Sequence, residues 1–177
     1  MLAAVMVALA ANMCVQATTV LPADLGDLVR DAHAIARGQV VALDAVWTSD
    51  RRAIETLVTL RVDAYLKGQL GSTLQFHVPG GRLGRFDSVM IGAPTFGVGQ
   101  NVIVFLGARG PSVPYLLGLG QGVFRLAPGA GGWLVTPPAL VPSTVGRTRV
   151  VRGDVSRRPV PLADFSRQVR SLAGSAR

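Results

Sequence analysis

Cysteine, lysine and histidine are almost missing from this chain of 177 residues. Cys14 is the only cysteine, which excludes an internal disulfide framework and a zinc site built on Cys-x-x-Cys pairs. The two histidines, His33 and His77, are far apart and do not have the His-x-x-x-His spacing of a metal-binding helix. We therefore expect both to be surface or boundary residues, and the sequence predicts no metal site and no cofactor.

Acidic residues are also scarce, especially in the second half of the chain. After Asp63 only Asp87, Asp154 and Asp164 remain, which disfavours a mechanism based on paired carboxylates. The chain has no Gly-x-Ser-x-Gly motif, and neither histidine has a convincing catalytic partner in the sequence. We therefore expect a protein that is not an enzyme, and the alternative is an exported hydrolase with an unrecognised site.

Positive charge is missing from the N-terminal segment, where Arg30 is the first basic residue. Residues 1–15 are almost wholly apolar, and residues 15–17 (Val-Gln-Ala) form a small-x-small site of the kind that signal peptidase cleaves. This pattern predicts a signal peptide over residues 1–17, loss of Cys14 with it, and export to the periplasm or the medium. The alternative is a hydrophobic strand or helix of the folded domain. The run is shorter than the roughly 20 residues of a transmembrane helix, so no stable membrane span is expected.

Glycine and proline are plentiful, with 21 and 11 residues, which favours many short strands and turns over long helices. The clearest strand covers residues 53–67, where seven mostly apolar residues, from Ile54 to Leu66, share one parity, and the other parity carries Glu55, Thr59, Arg61, Asp63 and Lys67. Lys67 and Gly68 end this strand. Residues 101–106 form a continuous apolar run, which predicts a strand buried on both faces.

The remaining pattern completes a mainly β assignment. Helices are predicted at residues 22–32 and 162–172, and further strands at residues 33–47, 72–79, 115–126 and 133–136. Gly38 lies inside the first of these strands and predicts a bulge or a sharp bend. We expect a mobile basic loop at residues 80–85. The predicted organisation is a signal peptide (1–17), a β-barrel domain (18–136), an exposed Arg- and Pro-rich linker (137–161) and a C-terminal helix and tail (162–177).

Basic residues are concentrated after Asp63. Residues 1–63 contain five basic and seven acidic residues, a net charge of −2, whereas residues 64–177 contain 13 basic and three acidic residues, a net charge of +10. Seventeen of the 18 basic residues are arginine, which suits pairing with carboxylate, phosphate or sulfate, although a genomic bias toward arginine codons explains the same composition. The candidate basic contact surface consists of Arg51, Arg52, Arg82, Arg85, Arg147, Arg149, Arg152, Arg157 and Arg158.

Two glycine-rich segments have some features of nucleotide-binding loops without the necessary context. Residues 79–85 combine glycines with two arginines and can cradle an anion, but the Gly-Lys-Ser/Thr ending and the following helix of a P-loop are missing. A plain loop between strands is favoured there. Gly118, Gly120 and Gly122 lie within a predicted strand and not before a helix, so they do not form a dinucleotide fingerprint. Their expected role is to let the strand curl as a small barrel closes.

Four segments together resemble the netrin-like module of tissue inhibitors of metalloproteinases. They are Ile35-Ala-Arg-Gly-Gln-Val-Val41, Tyr65-Leu-Lys-Gly68, Leu74-Gln-Phe-His-Val78 and Phe96-Gly-Val-Gly-Gln-Asn-Val-Ile-Val-Phe-Leu106. The chain is also similar to uncharacterised exported bacterial proteins that share Leu-Lys-Gly, Pro-Gly-Gly, Gly-Ala-Pro and Gly-Gln-Gly-x-Phe segments. The resemblance covers residues 22–126 and implies an OB-like five-stranded Greek-key barrel with a short N-terminal helix and a C-terminal helix.

The predicted mature N-terminus departs from that family. The inhibitors carry an N-terminal cysteine pair whose first amino group and carbonyl reach the zinc of the protease, whereas this chain would begin with Thr18-Thr19 and contain no later cysteine. The inhibitory mechanism is therefore not carried over to any residue here.

Two functions remain as expectations from the sequence. The first is an exported binding module, not an enzyme, that engages a protein partner through barrel loops, with a secreted metalloprotease as one candidate. The second is a polyanion-binding protein that uses the arginine-rich surface. Aromatic residues make up 6% of the chain, so the stacking platforms of nucleic-acid-binding barrels are weakly represented.

Overall fold

The described part of the chain forms a large β-sheet, with one helix before the first strand and one after the last. The computed structural model describes residues 23–108, 110, 113–138 and 158–175. Within these residues the helices are α1 (Leu25–Asp31) and α2 (Leu162–Ser175), and a single 3-10 turn covers Leu119–Gly122. The strands are β1 (Ala34–Trp47), β2 (Ile54–Lys67), β3 (Thr73–Pro79), β4 (Gly81–Leu83), β5 (Phe86–Ser88), β6 (Asn101–Gly107), β7 (Tyr115–Leu116), β8 (Val123–Gly129), β9 (Gly132–Thr136) and β10 (Val160–Pro161).

This architecture confirms the predicted mainly β class with a short N-terminal and a C-terminal helix. The predicted signal peptide lies outside the described residues, as does most of the predicted linker. At the C-terminal side of that linker, Val160 and Pro161 pair with Val135 and Leu134 of β9 and form β10. The following helix α2 extends to Ser175, three residues beyond the predicted end.

Strand pairing follows the order β1-β2-β3-β7-β6-β8-β9-β10, and β1 also pairs with β6. The pairings therefore run from β1 through β2, β3, β7 and β6 and return to β1. The pairs are antiparallel except for β3 and β7, which are parallel and meet at His77 and Tyr115. Strands β4 and β5 form a separate two-stranded hairpin.

Strand β6 separates two apolar cores, as its uninterrupted apolar sequence predicts. Val102, Val104 and Leu106 face a core shared with β1, β2 and β3, whereas Ile103 and Phe105 face a second core beneath the two helices. Because both faces are covered, the six residues after Asn101, from Val102 to Gly107, are all buried. The prediction that this strand is buried on both faces is confirmed.

Helix α1 is held in place at both of its ends. At its N-terminus the side chain of Asp24 accepts a hydrogen bond from the amide of Asp27 at 2.7 Å. At its C-terminus the Lys67 amine donates to the carbonyl oxygens of Val29 (2.7 Å) and Arg30 (3.0 Å), two groups that a helix end leaves without a partner inside the helix. The end of β2 is thereby joined to α1.

A bulge lies where Gly38 interrupts β1, as predicted. Arg37 is opposite Ala64 and Gly38 is opposite Val62, so Asp63 has no partner in β1. A Cβ atom at residue 38 would overlap the carbonyl oxygen of Arg61, which explains the glycine.

Side chains alternate between the two faces along a strand, so the extra residue Asp63 moves every later side chain of β2 to the face opposite the one that its parity predicts. Val58 and Leu60 belong to the core between the strands, but Leu66 packs in the core beneath the helices. The prediction that Ile54 through Leu66 share one face is therefore wrong at the C-terminal end of β2.

Residues 115–126 do not form the single strand that we predicted. The chain leaves β7, makes the 3-10 turn and only then enters β8. Gly118 has the left-handed φ of +64°, and a Cβ at Gly122 would overlap the carbonyl oxygen of Leu117. The glycines thus permit a compact turn, and the expectation that they curl a strand is wrong.

Candidate functional site

Two connections lie at one end of the sheet, the turn from β1 to β2 and the passage from β3 into the hairpin of β4 and β5. Trp47 and Ile54 are the last residue pair of β1 and β2, and Glu55 and Pro79 are the last pair of β2 and β3. The hairpin of β4 and β5 follows directly and contacts both β1 and β2. Residues 80–85, predicted as a mobile loop, therefore belong largely to an ordered hairpin against the strand ends.

Large apolar side chains are exposed at this end. Val89 and Ile91 are 83% and 80% exposed, and Trp47, Phe86 and Met90 are also exposed. The rings of Trp47 and Phe86 contact each other edge to face, with centroids 5.3 Å apart. We call these five residues the apolar loop surface. Exposed apolar side chains collected in one region are typical of interaction sites, because the free energy falls when a partner removes them from water.

A groove of about 480 Å³ lies next to the apolar loop surface, between the strand ends and residues 89–96. Its walls include Leu43, Thr56, Val78, Met90 and Phe96. The Thr56 hydroxyl donates to the carbonyl of Gly80 at 2.7 Å, which fixes the start of the hairpin. The groove is lined by apolar side chains together with polar and charged ones, among them Arg82 and Asp87, so it offers a partner both apolar contact and groups that fix orientation.

Two predicted arginines lie on the hairpin beside this surface. The Arg85 guanidinium lies 5.1 Å from the centroid of the Phe86 ring, a cation–π distance. Arg82 is exposed, lines the groove and is opposite Asp87 in the register of the hairpin. Arginine next to exposed aromatic rings is the side-chain combination that protein interfaces favour.

Arg51 and Arg52 lie in the turn that connects β1 to β2, at the same end of the molecule. Asp50 organises this turn, because its carboxylate accepts hydrogen bonds from the Thr48 hydroxyl (2.6 Å) and the Arg52 amide (3.1 Å). These hydrogen bonds, the one from Thr48 foremost, lower the pKa of Asp50 below its ordinary value. Arg51 has a φ of +55°, the left-handed conformation that side chains other than glycine rarely adopt.

The remaining predicted arginines do not join this group. Arg158 is exposed and precedes β10, beside β9 rather than beside the hairpin. Arg147, Arg149, Arg152 and Arg157 lie outside the described residues. Four of the nine predicted contact residues are therefore brought to one end of the sheet.

The two histidines lie in separate parts of the fold, and neither belongs to the apolar loop surface or lines the groove. His33 is exposed just before β1, and His77 is half-buried on β3, where its Nδ1 lies 3.1 Å from a carboxylate oxygen of Glu55. The two atoms are in contact but are not aligned for a hydrogen bond. Among the described residues, no group of three or more histidine, cysteine, aspartate or glutamate side chains is placed to hold a metal ion.

Sequence reasoning identified the arginines but missed the five apolar residues. Val89, Met90 and Ile91 carried a usable signal, since three apolar residues stand together where turn residues predict no strand to bury them. Trp47 and Phe86 carried none, because their positions at strand ends suited burial equally well.

The fold and this surface define a mainly β protein with an exposed apolar and basic loop region. Comparison of the chain with known protein families, with curated proteins and with solved structures gives no match. In the described part of the chain, neither helix has the length and apolar character needed to cross a membrane.

Proposed function

We propose that this protein is an exported binding module, not an enzyme, and that it engages a protein partner through the apolar loop surface. The observation that carries the proposal is the exposure of Val89 and Ile91 in the segment that directly follows the β4–β5 hairpin, together with the exposed ring pair of Trp47 and Phe86. A few buried aromatic and arginine residues supply most of the binding energy in typical protein interfaces. Trp47, Phe86 and Arg85 are candidates for that role, and Arg82 lies at the rim.

The proposed fold of this module is an OB-like five-stranded barrel of the netrin-like kind. The cycle of pairings through β1, β2, β3, β7 and β6 supports it, because a sheet that pairs back to its first strand is the arrangement of a small closed barrel. In this proposal the β4–β5 hairpin and residues 89–96 cover one mouth of the barrel. Strands β8 to β10 and helix α2 form an addition that covers the outer face of β6.

A secreted metalloprotease is one candidate partner. The chain has no cysteine pair to present an amino group to a catalytic zinc, so contact would be made by the apolar loop surface alone. The second candidate function is polyanion binding, which the grouping of Arg51, Arg52, Arg82 and Arg85 at one end favours. The two functions differ in their response to salt, because attraction between exposed charges weakens steeply as ionic strength rises.

The test is a pull-down from the secreted and envelope fraction of the host with residues 18–177 as bait, washed over a series of salt concentrations. The variant V89S/I91S removes two apolar side chains without changing the charge, and R82Q/R85Q removes two charges without changing the apolar surface. The matched control is V98S, since Val98 is exposed but is not part of the groove or of the apolar loop surface.

A single protein retained at high salt by the wild type and by V98S, but held at least about tenfold less by V89S/I91S, supports the proposed function. Retention of polyanions alone, lost at moderate salt and in R82Q/R85Q, assigns the function to the arginines instead. Capture that V89S/I91S does not reduce contradicts a role for the apolar loop surface.

A further inference from the structure

A second groove, of about 580 Å³, lies on the outer face of the sheet beside helix α2. Arg37 of β1 and Trp133 of β9 form one side, and Ser166, Arg167 and Arg170 of α2 form the other. Residues 163, 166, 167 and 170 recur at intervals of three, one and three, so they form one stripe along the helix. The buried residues Phe165 and Val169 fix that stripe in place by packing beneath it. We call this groove the arginine groove.

Its three guanidinium groups are incompletely paired within the described part of the chain. The Nε atom of Arg37 is buried without a hydrogen bond, and its nearest carboxylate, Asp63, is 4.0 Å away. The buried Nε itself is out of reach of a ligand, but the Arg37 side chain as a whole is 32% exposed, so a ligand in the groove would contact the exposed part of the guanidinium group. Arg167 pairs with Asp164 at 3.2 Å, one turn earlier on the exposed face of α2.

The groove therefore carries more positive than negative charge. Arg37, Arg167 and Arg170 contribute three cations, and the two carboxylates near them, Asp63 and Asp164, are both about half exposed, with side-chain exposures of 43% and 57%. The Arg170 side chain has no ion pair or hydrogen bond with any other described residue. Arginines from two separate elements that face one groove are suited to chelate a planar or tetrahedral oxyanion.

The exposed indole of Trp133 adds a flat apolar wall to this positive site. We propose that the arginine groove binds an oxyanion carried on a ring, that is, a phosphate or sulfate monoester. The oxyanion contacts the guanidinium groups of Arg37, Arg167 and Arg170, and the ring lies against Trp133. The site contains none of the residues of the apolar loop surface, so a test of one proposal does not decide the other.

The test uses the ¹⁵N-labelled protein and four probes: phenyl phosphate, phenyl sulfate, inorganic phosphate and inorganic sulfate. The indole N–H signal of Trp133 reports binding, and the W47F variant identifies it by removing the only other tryptophan signal. The variant R167Q/R170Q removes two charges from the groove. The variant R51Q/R52Q removes two charges from the turn between β1 and β2 and serves as the charge-matched comparison. Circular dichroism establishes that each variant is folded.

We expect a saturable movement of the Trp133 signal with at least one phenyl ester, and the difference between the two esters shows which oxyanion is preferred. Because each lost charge-assisted hydrogen bond corresponds to a factor of about ten or more, R167Q/R170Q should bind at least tenfold more weakly, whereas R51Q/R52Q should retain the site. Equal weakening in both double variants would show general charge attraction and overturn the proposal. Inorganic phosphate or sulfate binding as tightly as its phenyl ester would overturn the role assigned to Trp133.

Discussion

Lys67 and Gly68 lie where β2 ends beside helix α1, and both have a local structural reason. The lysine amine satisfies two carbonyl groups of the helix, and Gly68 has a φ of +66° with room for no side chain. The Leu-Lys-Gly segment that supported the family resemblance is thus accounted for by stability, and it carries no part of either proposed binding site.

Replacement of Lys67 by methionine should lower the free energy of unfolding by about 1–3 kcal/mol, because the carbonyls of Val29 and Arg30 lose a charged donor in a partly buried setting. Urea unfolding followed by circular dichroism measures the change. The control is R170M, in which the replaced residue is exposed and should alter stability by no more than about 0.5 kcal/mol. A K67M protein as stable as R170M would show that the two hydrogen bonds contribute nothing.

Gly68→Ala and Gly84→Ala separate two costs of replacing a glycine. Both residues have left-handed φ values, +66° and +60°, so each alanine should cost about 1 kcal/mol of conformational strain. At residue 68 the new Cβ would also lie 2.6 Å from the carbonyl oxygen of His33, whereas nothing lies within 4 Å of it at residue 84. We expect G68A to be clearly less stable than G84A in urea unfolding, and equal losses would contradict the close approach.

Asp50 makes the stability of the turn between β1 and β2 dependent on pH. Its pKa is lowered in the folded state, so its ionised carboxylate stabilises the fold fully above the ordinary value of 3.8. That contribution is lost as the pH falls through the lower folded-state pKa. The difference in unfolding midpoint between the wild type and D50A should therefore be larger at pH 7 than at pH 2. A difference that stays constant across this range would rule out the carboxylate as its source.

At the scale of elements, prediction succeeded where burial alone determines the structure. The apolar run of β6, the alternation in the first part of β2 and the place of the bulge at Gly38 follow from the residues themselves. Prediction failed where contacts between distant segments decide. The reversal of β2 at Asp63 depends on Arg61 and Gly38 approaching across two strands, and the break after β7 depends on the amide of Gly120 donating to the carbonyl of Gly92 at 2.9 Å.

Helix α2 packs on the sheet through Phe165, whose ring lies 4.9 Å from that of Phe124, and through Val169. Truncation of this buried ring in F165A should lower the free energy of unfolding by about 3–5 kcal/mol, because a cavity replaces the contact between helix and sheet. Guanidinium unfolding measures the loss. The exposed neighbour Gln168 provides the control, Q168A, with an expected change near zero. Similar stabilities for the two variants would mean that the helix does not depend on this contact.

In the whole molecule, the strand ends bring together arginine and aromatic residues that are far apart in the sequence. Arg51 and Arg85 are separated by more than thirty residues, and the sequence could predict that each is basic but not that both lie at the end of the sheet that carries Trp47 and Phe86. The arginine groove was missed for a similar reason. In the sequence Arg37 is one polar residue of a predicted strand, and only the fold places Trp133 of β9 and Arg170 of α2 around the same groove.

The engagement of Lys67 with helix α1 has a practical consequence for finding a partner. Lys67 is the chain's single lysine, and its amine is occupied by two carbonyl oxygens. Reagents that cross-link side-chain amines therefore have no free target near the apolar loop surface or the arginine groove. A partner bound at either place would not be cross-linked by such a reagent. Photoactivated reagents, or those directed at arginine or carboxylate groups, are the appropriate choice. For the same reason, a lysine-specific endoproteinase has one cleavage site in this chain, and the rate of that cut reports how often the end of β2 separates from α1.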